Sequence, residues 1–150
     1  AWDALQFDRR YHALAEACHA VCFGTLAQRS AVSREAIDRF LTNAQHALKL
    51  FDVNLRQNYF SRAMIETSLK HATALKLNAE ELESITVLLD LESRDAGVIC
   101  PQLLEKYGLG FVALTRGAEG MQLYLPNGVH ASEPACYPTA PEDGGGGIDF

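Results

Sequence analysis

Short apolar runs alternate with longer amphipathic stretches through most of the chain, a pattern that predicts crossover units packing helices onto a mainly parallel sheet. Residues 8–18 read as a helix, and residues 18–23 (CHAVCF) as a strand closed by Gly24. Ser33 is the expected N-cap of the next helix, with Glu35 and Asp38 in its first turns, where acidic groups favour the helix dipole. A strand at 47–53 (ALKLFDV) ends in the polar segment Asn54-Leu55-Arg56, and a helix follows over 61–70. A third strand at 73–77 runs into Asn78-Ala79-Glu80-Glu81, which opens a helix reaching about Leu89. Polar groups therefore gather at strand C-termini, the edge of an open α/β sheet where loops diverge, helix N-termini point into the crevice and ligands bind.

After the polar break 92–95, a helix over 97–107 leads through Gly108 to a strand at 111–114, and 115–120 forms a turn. Residues 121–125 and 128–131 read as a hairpin around Pro126-Asn127-Gly128, because Asn-Gly supplies the positive φ angles of a tight turn. The expected sheet is parallel first and antiparallel later. From Glu133 onward the chain carries three prolines and then four consecutive glycines, a composition with little to bury. The expected organisation is one α/β domain over 1–137 and a flexible Gly/Pro-rich tail over 138–150.

Composition narrows the function classes. With 48% apolar residues, 150 residues allow one sizeable core and not two comfortable domains. No run of eighteen apolar residues occurs and the first residues lack a secretory pattern, so the expectation is a soluble, cytoplasmic protein without a membrane partner. A net charge of -6 argues against nucleic acid, which needs clustered Lys and Arg to neutralise phosphates. Cys18, Cys22, Cys100 and Cys136 show no metal or disulfide spacing, and the five histidines form no metal motif. Small-molecule chemistry fits better.

Four segments, FGTLAQRS (23–30), FDVNLR (51–56), LKLNAEEL (75–82) and ALTRGAEG (113–120), resemble the ribokinase/PfkB carbohydrate kinases in order and approximate spacing, with a fructokinase-like flavour. The resemblance implies a ribokinase-like α/β fold and transfer of the γ-phosphoryl group of ATP to a sugar hydroxyl with Mg2+. That chemistry depends on positioning and electrostatics more than on covalent help. It implies a role for Asn78 and Glu81, which match an N-x-x-E motif, in organising phosphate and metal respectively. Thr115, Gly117 and Gly120 match the nucleotide-side turn, and Lys76 is an additional phosphate candidate. Asp52, Asn54 and Arg56 match a D-x-N-x-R segment facing substrate or another anion, with Val53 where the family often has proline. On pattern alone, Asn78 and Glu81 equally describe a capped helix start, the glycines a plain turn, and Asp52 with Arg56 a stiffened loop.

The family's N-terminal sugar-binding half is expected to have no counterpart here, and the fold to be truncated at both ends. The family's anion-hole signature finds only a loose echo in Asp143 to Phe150, where Asp149 takes the place of the catalytic base. A fragment inactive alone, acting with a complementing chain, is the first expectation. The alternative is a non-catalytic remnant or regulatory nucleotide-binding or protein-association domain, whose uncovered apolar surface favours self-association.

Overall fold

The structure is a computed structural model that describes residues 2–131. Its strands are β1 (Ala20–Phe23), β2 (Leu48–Asp52), β3 (Ala74–Asn78), β4 (Phe111–Thr115), β5 (Met121–Leu125) and β6 (Gly128–Ala131). They form one sheet in sequence order; β1 to β4 run parallel, and β5 and β6 add antiparallel at the far side. The helices are α1 (Arg9–Ala17), α2 (Ala31–Asn43), α3 (Arg62–His71), α4 (Ala79–Leu88) and α5 (Ala96–Tyr107). The mainly parallel α/β fold with a later antiparallel hairpin is the one the sequence pattern predicts.

Short polar side chains start the helices by accepting the backbone N–H groups that a first turn leaves without intrahelical partners. Asp8 does so for α1, Ser61 for α3 and Asp95 for α5. For α2 the cap is Ser30 and not the expected Ser33: Ser30 Oγ accepts from Ser33 N at 3.2 Å. Ser33 is instead fully buried in the first turn, where its own Oγ accepts from Leu5 N. A serine next to the N-terminal segment serves packing better than capping, and the cap moves three residues upstream.

Side chains alternate across a strand, so each parity builds one face of the sheet. Phe51, Leu75, Leu77, Val112, Leu114 and Tyr124 join Ile65 and Leu69 of α3, Leu82 and Ile85 of α4, and Ile99 and Leu103 of α5 in the main core. The alternate positions Leu48, Leu50, Phe111 and Leu123 belong to neither apolar cluster among the described residues. A smaller cluster of Ala15, Ala44 and Ala47 seats α1 against α2 beside Val21 of β1. The core thus sits on one face, and the sheet's C-terminal edge is left open above it.

At that edge the chain leaves β1 through Gly24. A Cβ there would lie 2.7 Å from the carbonyl oxygen of Asp52, closer than real side chains approach backbone. Gly24→Ala should therefore push β1 from β2 and cost about 1–3 kcal/mol, as overpacking does. Urea unfolding of the variant beside the parent chain checks this; an unchanged midpoint would mean that the two loops yield freely.

Candidate functional site

The loops after β1, β2, β3 and β4 meet at the C-terminal edge. Thr25, only 1% exposed, donates from Oγ1 to Asn54 O at 2.9 Å, and Gln28 donates from Nε2 to Gly24 O and Ser68 Oγ, each at 3.0 Å. These two buried polar residues lock the first loop onto the second and onto α3. Sequence reasoning assigned them no role, although both lie within FGTLAQRS; their signal is two polar side chains closing an otherwise apolar strand.

At the β3–α4 junction side chains and backbone are hydrogen-bonded in both directions. Asn78 Oδ1 accepts from Glu81 N at 2.8 Å, while Glu81 Oε2 accepts from Asn78 N at 2.9 Å, a reciprocal capping box. The other carboxylate oxygen, Glu81 Oε1, accepts from Leu55 N at 3.2 Å and so holds the β2 loop against α4. Glu81 is 9% exposed, and its carboxylate joins three pieces of backbone. The capped-helix and site-organising readings therefore describe the same side chains.

Lys76 and Asp52 occupy opposed positions on β3 and β2, on the sheet face away from the main core. Lys76 Nζ lies 2.9 and 3.1 Å from the two oxygens of Asp52. The partner of Asp52 is thus Lys76 and not Arg56, so the expected loop-stiffening Asp-Arg pair is absent among the described residues. Nearby Cys22 is pushed up in pKa by burial and secondarily by the Asp52 charge, both of which disfavour its thiolate. Arg56 is exposed and its guanidinium makes no hydrogen bond or ion pair with the described residues.

On the far side, Thr115 ends β4 and donates from Oγ1 to Leu77 O at 3.4 Å. Residues Gly117–Glu119 form one 3-10 turn, closed by Arg116 N donating to Gly120 O at 2.8 Å. Gly117 and Gly120 have φ of 56° and 87°, where other residues are strained. Asp149, Asp143 and the rest of the glycine-rich end lie outside the described residues.

Two clefts flank the start of α4. The larger, about 840 Å³, is lined by Asn78, Glu80, Arg94, Thr115, Arg116 and Gly117. The smaller is lined by Asn54, Arg56, Asn78, Glu80 and Glu81. Asn78 and Glu80 belong to both, so the structure gathers Asn54, Arg56, Asn78, Glu81, Thr115 and Gly117 around one helix start. Gly120 closes the turn behind them; Asp52 and Lys76 stand apart as an ion pair on the sheet. No group of three or more His, Cys, Asp or Glu side chains that could hold a metal by itself occurs among the described residues. What the edge offers is one oriented carboxylate with lone pairs to spare beside a helix start, which suits a hydrated cation shared with phosphates.

Removing the Glu81 carboxylate would leave the N–H groups of Leu55 and Asn78 without their acceptors. Glu81→Ala is expected to cost about 2–3 kcal/mol and Asn78→Ala about 1 kcal/mol in denaturant unfolding. Equal, negligible losses would show that the junction is not held by this carboxylate.

The chain is similar in fold to several solved kinases, each at an identity that speaks to fold alone. Aminoimidazole riboside kinase from Salmonella enterica, complexed with aminoimidazole riboside and an ATP analogue, is 22% identical with a TM-score of 0.61, over 81% of this chain and 42% of that one. Fructokinase from Xylella fastidiosa with bound ATP is 21% identical with a TM-score of 0.66, over 79% and 38%. Fructokinase from Vibrio cholerae O395 in its fructose, ADP and calcium form is 20% identical with a TM-score of 0.62, over 77% and 39%. The chain thus spans about two-fifths of the length of these structures. No curated protein sequence matches it significantly. The sequence pattern of the pfkB family carbohydrate kinases matches residues 4–144, and the chain belongs to that family.

Proposed function

We propose that this chain carries the Mg-ATP side of a sugar kinase that transfers the γ-phosphoryl group of ATP to a sugar hydroxyl. The observation that carries the reading is the gathering of Asn54, Arg56, Asn78, Glu81, Thr115 and Gly117 around the start of α4, in two clefts with Asn78 in common. Asn78 and the first turn of α4 present dipoles that favour the phosphate chain. Thr115 and Gly117 let backbone approach the nucleotide closely, and Arg56 offers a fork of N–H donors to an anionic group. Glu81, held by two backbone N–H groups, would orient the water shell of Mg2+. The ion's contribution when bound is to neutralise charge on the phosphates. Lys76, paired with Asp52, would reach a phosphate only by giving up that partner.

Asp149 is the proposed proton acceptor on resemblance alone. A complementing stretch of polypeptide would supply the sugar-side contacts, and isolated residues 1–150 would turn over poorly. A cytoplasmic setting is consistent with the free thiols of Cys18, Cys22 and Cys100. None of the described helices is long and apolar enough to cross a membrane.

Calorimetric titration with Mg-ATP tests the nucleotide reading. The parent chain should bind saturably and Asn78→Ala/Glu81→Ala should not. Because that double change also loosens the fold, Asn78→Asp is the companion: it keeps a good N-cap but adds negative charge beside the phosphates. It should melt within a few degrees of the parent and bind Mg-ATP at least tenfold more weakly, a shift of about 1.4 kcal/mol. Absence of binding by the parent chain would reduce the kinase likeness to ancestry.

The face bearing Leu48, Leu50, Phe111 and Leu123 favours a second reading, a non-catalytic association domain whose occupant is a second copy of the chain. Parallel sheets are normally apolar on both faces because both are covered. Light scattering should show mass rising with concentration, and Leu48→Ser/Phe111→Ser should shift the chain towards monomer. A clean monomer at every concentration for the parent chain removes this reading.

A further inference from the structure

We propose that Arg116 is a polyphosphate-binding residue of this site, gripping the phosphate chain of a nucleoside triphosphate across the start of α4 from the side opposite Arg56. The inference rests on the nucleotide reading above and adds a residue and a ligand grip to it. Arg116 stands between Thr115 and Gly117, and its backbone is tied at both ends of the turn. Its N–H donates to Gly120 O at 2.8 Å, and its carbonyl accepts from Glu119 N at 3.1 Å. An arginine on a pinned turn is held in place without spending its side chain. Its guanidinium forms no hydrogen bond or ion pair with the described residues, leaving its donors for a ligand.

Position separates this arginine from an ordinary solvated one. Arg116 lines the larger cleft with Asn78 and Glu80, and Arg56 lines the smaller cleft with the same two residues. The two free guanidinium groups therefore stand on either side of one helix start. Burial pushes the Cys100 thiol up to about 12, and the Arg116 charge works against that push. The same opposition acts at Tyr124. Arg116 thus lies near the β4–β5 side of the core as well as the cleft.

The rest of the cleft makes a free cation necessary. Glu80, Glu83, Asp95 and Glu119 also line it, so a polyphosphate entering without a fixed positive group would be repelled. Arg94, the other cation there, already faces Glu83 at 3.6 Å. Asp95 is occupied in capping α5 through Gly97 N at 2.7 Å. Arg116 alone among the cleft's described charges combines a positive sign, a pinned backbone and no partner. A planar fork of donors matches phosphate oxygens in pairs, which a lysine at the same place would do less well.

The test is a set of calorimetric titrations of the full chain with Mg-ATP, Mg-bound inorganic triphosphate and adenosine, repeated on Arg116→Ala and Arg116→Lys. Arg116→Ala should weaken ATP and triphosphate roughly tenfold to a hundredfold, as loss of a charged hydrogen-bonding partner does, and leave adenosine within about twofold. Arg116→Lys should recover part of the loss, and circular dichroism should show the same fold in all three proteins. Parent-like ATP binding by Arg116→Ala overturns this inference and leaves the nucleotide reading standing. Parallel loss of adenosine and triphosphate overturns it too, because that marks a damaged turn. A parent chain that binds none of the three ligands overturns both readings together.

Discussion

The Glu81 carboxylate is the constraint on which the open edge of the sheet depends. One oxygen accepts the backbone N–H of Asn78 and the other that of Leu55, so a single side chain fixes the start of α4 against the loop leaving β2. Asn78 returns the contact by accepting the N–H of Glu81. A carboxylate at 9% exposure is tolerable only because backbone donors replace its water. The β2 loop also contains two non-glycine residues at positive φ, Asn54 at 43° and Gln57 at 48°, each a locally unfavourable conformation. The Leu55–Glu81 contact and the Thr25–Asn54 hydrogen bond hold that loop from both sides, and in doing so set where Asn54 and Arg56 can stand.

From that junction the polar residues divide by whether another side chain meets their charge. Asn78 and Thr115 end adjacent parallel strands in register, so their loops open together above the core. Asp52 and Lys76, one paired position earlier along the strands, share that parity of the sheet and satisfy each other. An ion pair between half-exposed groups contributes little stability, but it neutralises Lys76 as a free phosphate contact. Among the described residues of the two loops, the positive charges left without a side-chain partner are those of Arg56 and Arg116.

The one-sided core has a similar consequence for the chain as a whole. The helices bury Phe51, Leu75, Val112 and Tyr124, while Leu50, Phe111 and Leu123 alternate onto the other face. Strands that are apolar on both parities are built for a sheet covered on both sides. That demand for a second layer sits naturally with kinase structures in which this chain's match spans about two-fifths of the length.

Much of the fold was legible in the sequence. Runs such as FVALT and ALKLN lie as apolar stretches between turns, and the Pro-Asn-Gly cluster marked the β5–β6 hairpin, although its two turn residues are Pro126 and Asn127 and only Gly128, already paired with Leu125, has positive φ. The N-x-x-E spacing marked the α4 start, because a capping box is a local device whose partners lie three residues apart. What periodicity could not supply was the choice between equivalent local solutions. Ser30 and Ser33 both precede the same apolar pattern, and in the folded chain Ser30 caps while Ser33 Oγ accepts from Leu5 N, 28 residues away. Alternation puts Lys76 opposite its neighbours but not on a particular face until the helices choose one. The partner of Asp52 lies 24 residues away and the Leu55–Glu81 contact spans 26, distances along the chain at which no local rule pairs residues. Sequence by itself determined the elements and the chemistry available at their ends, since these follow from local propensity and pattern. Tertiary structure alone decided which polar groups spend their charge on each other and which remain for a ligand, since that depends on the distances set when the core closes.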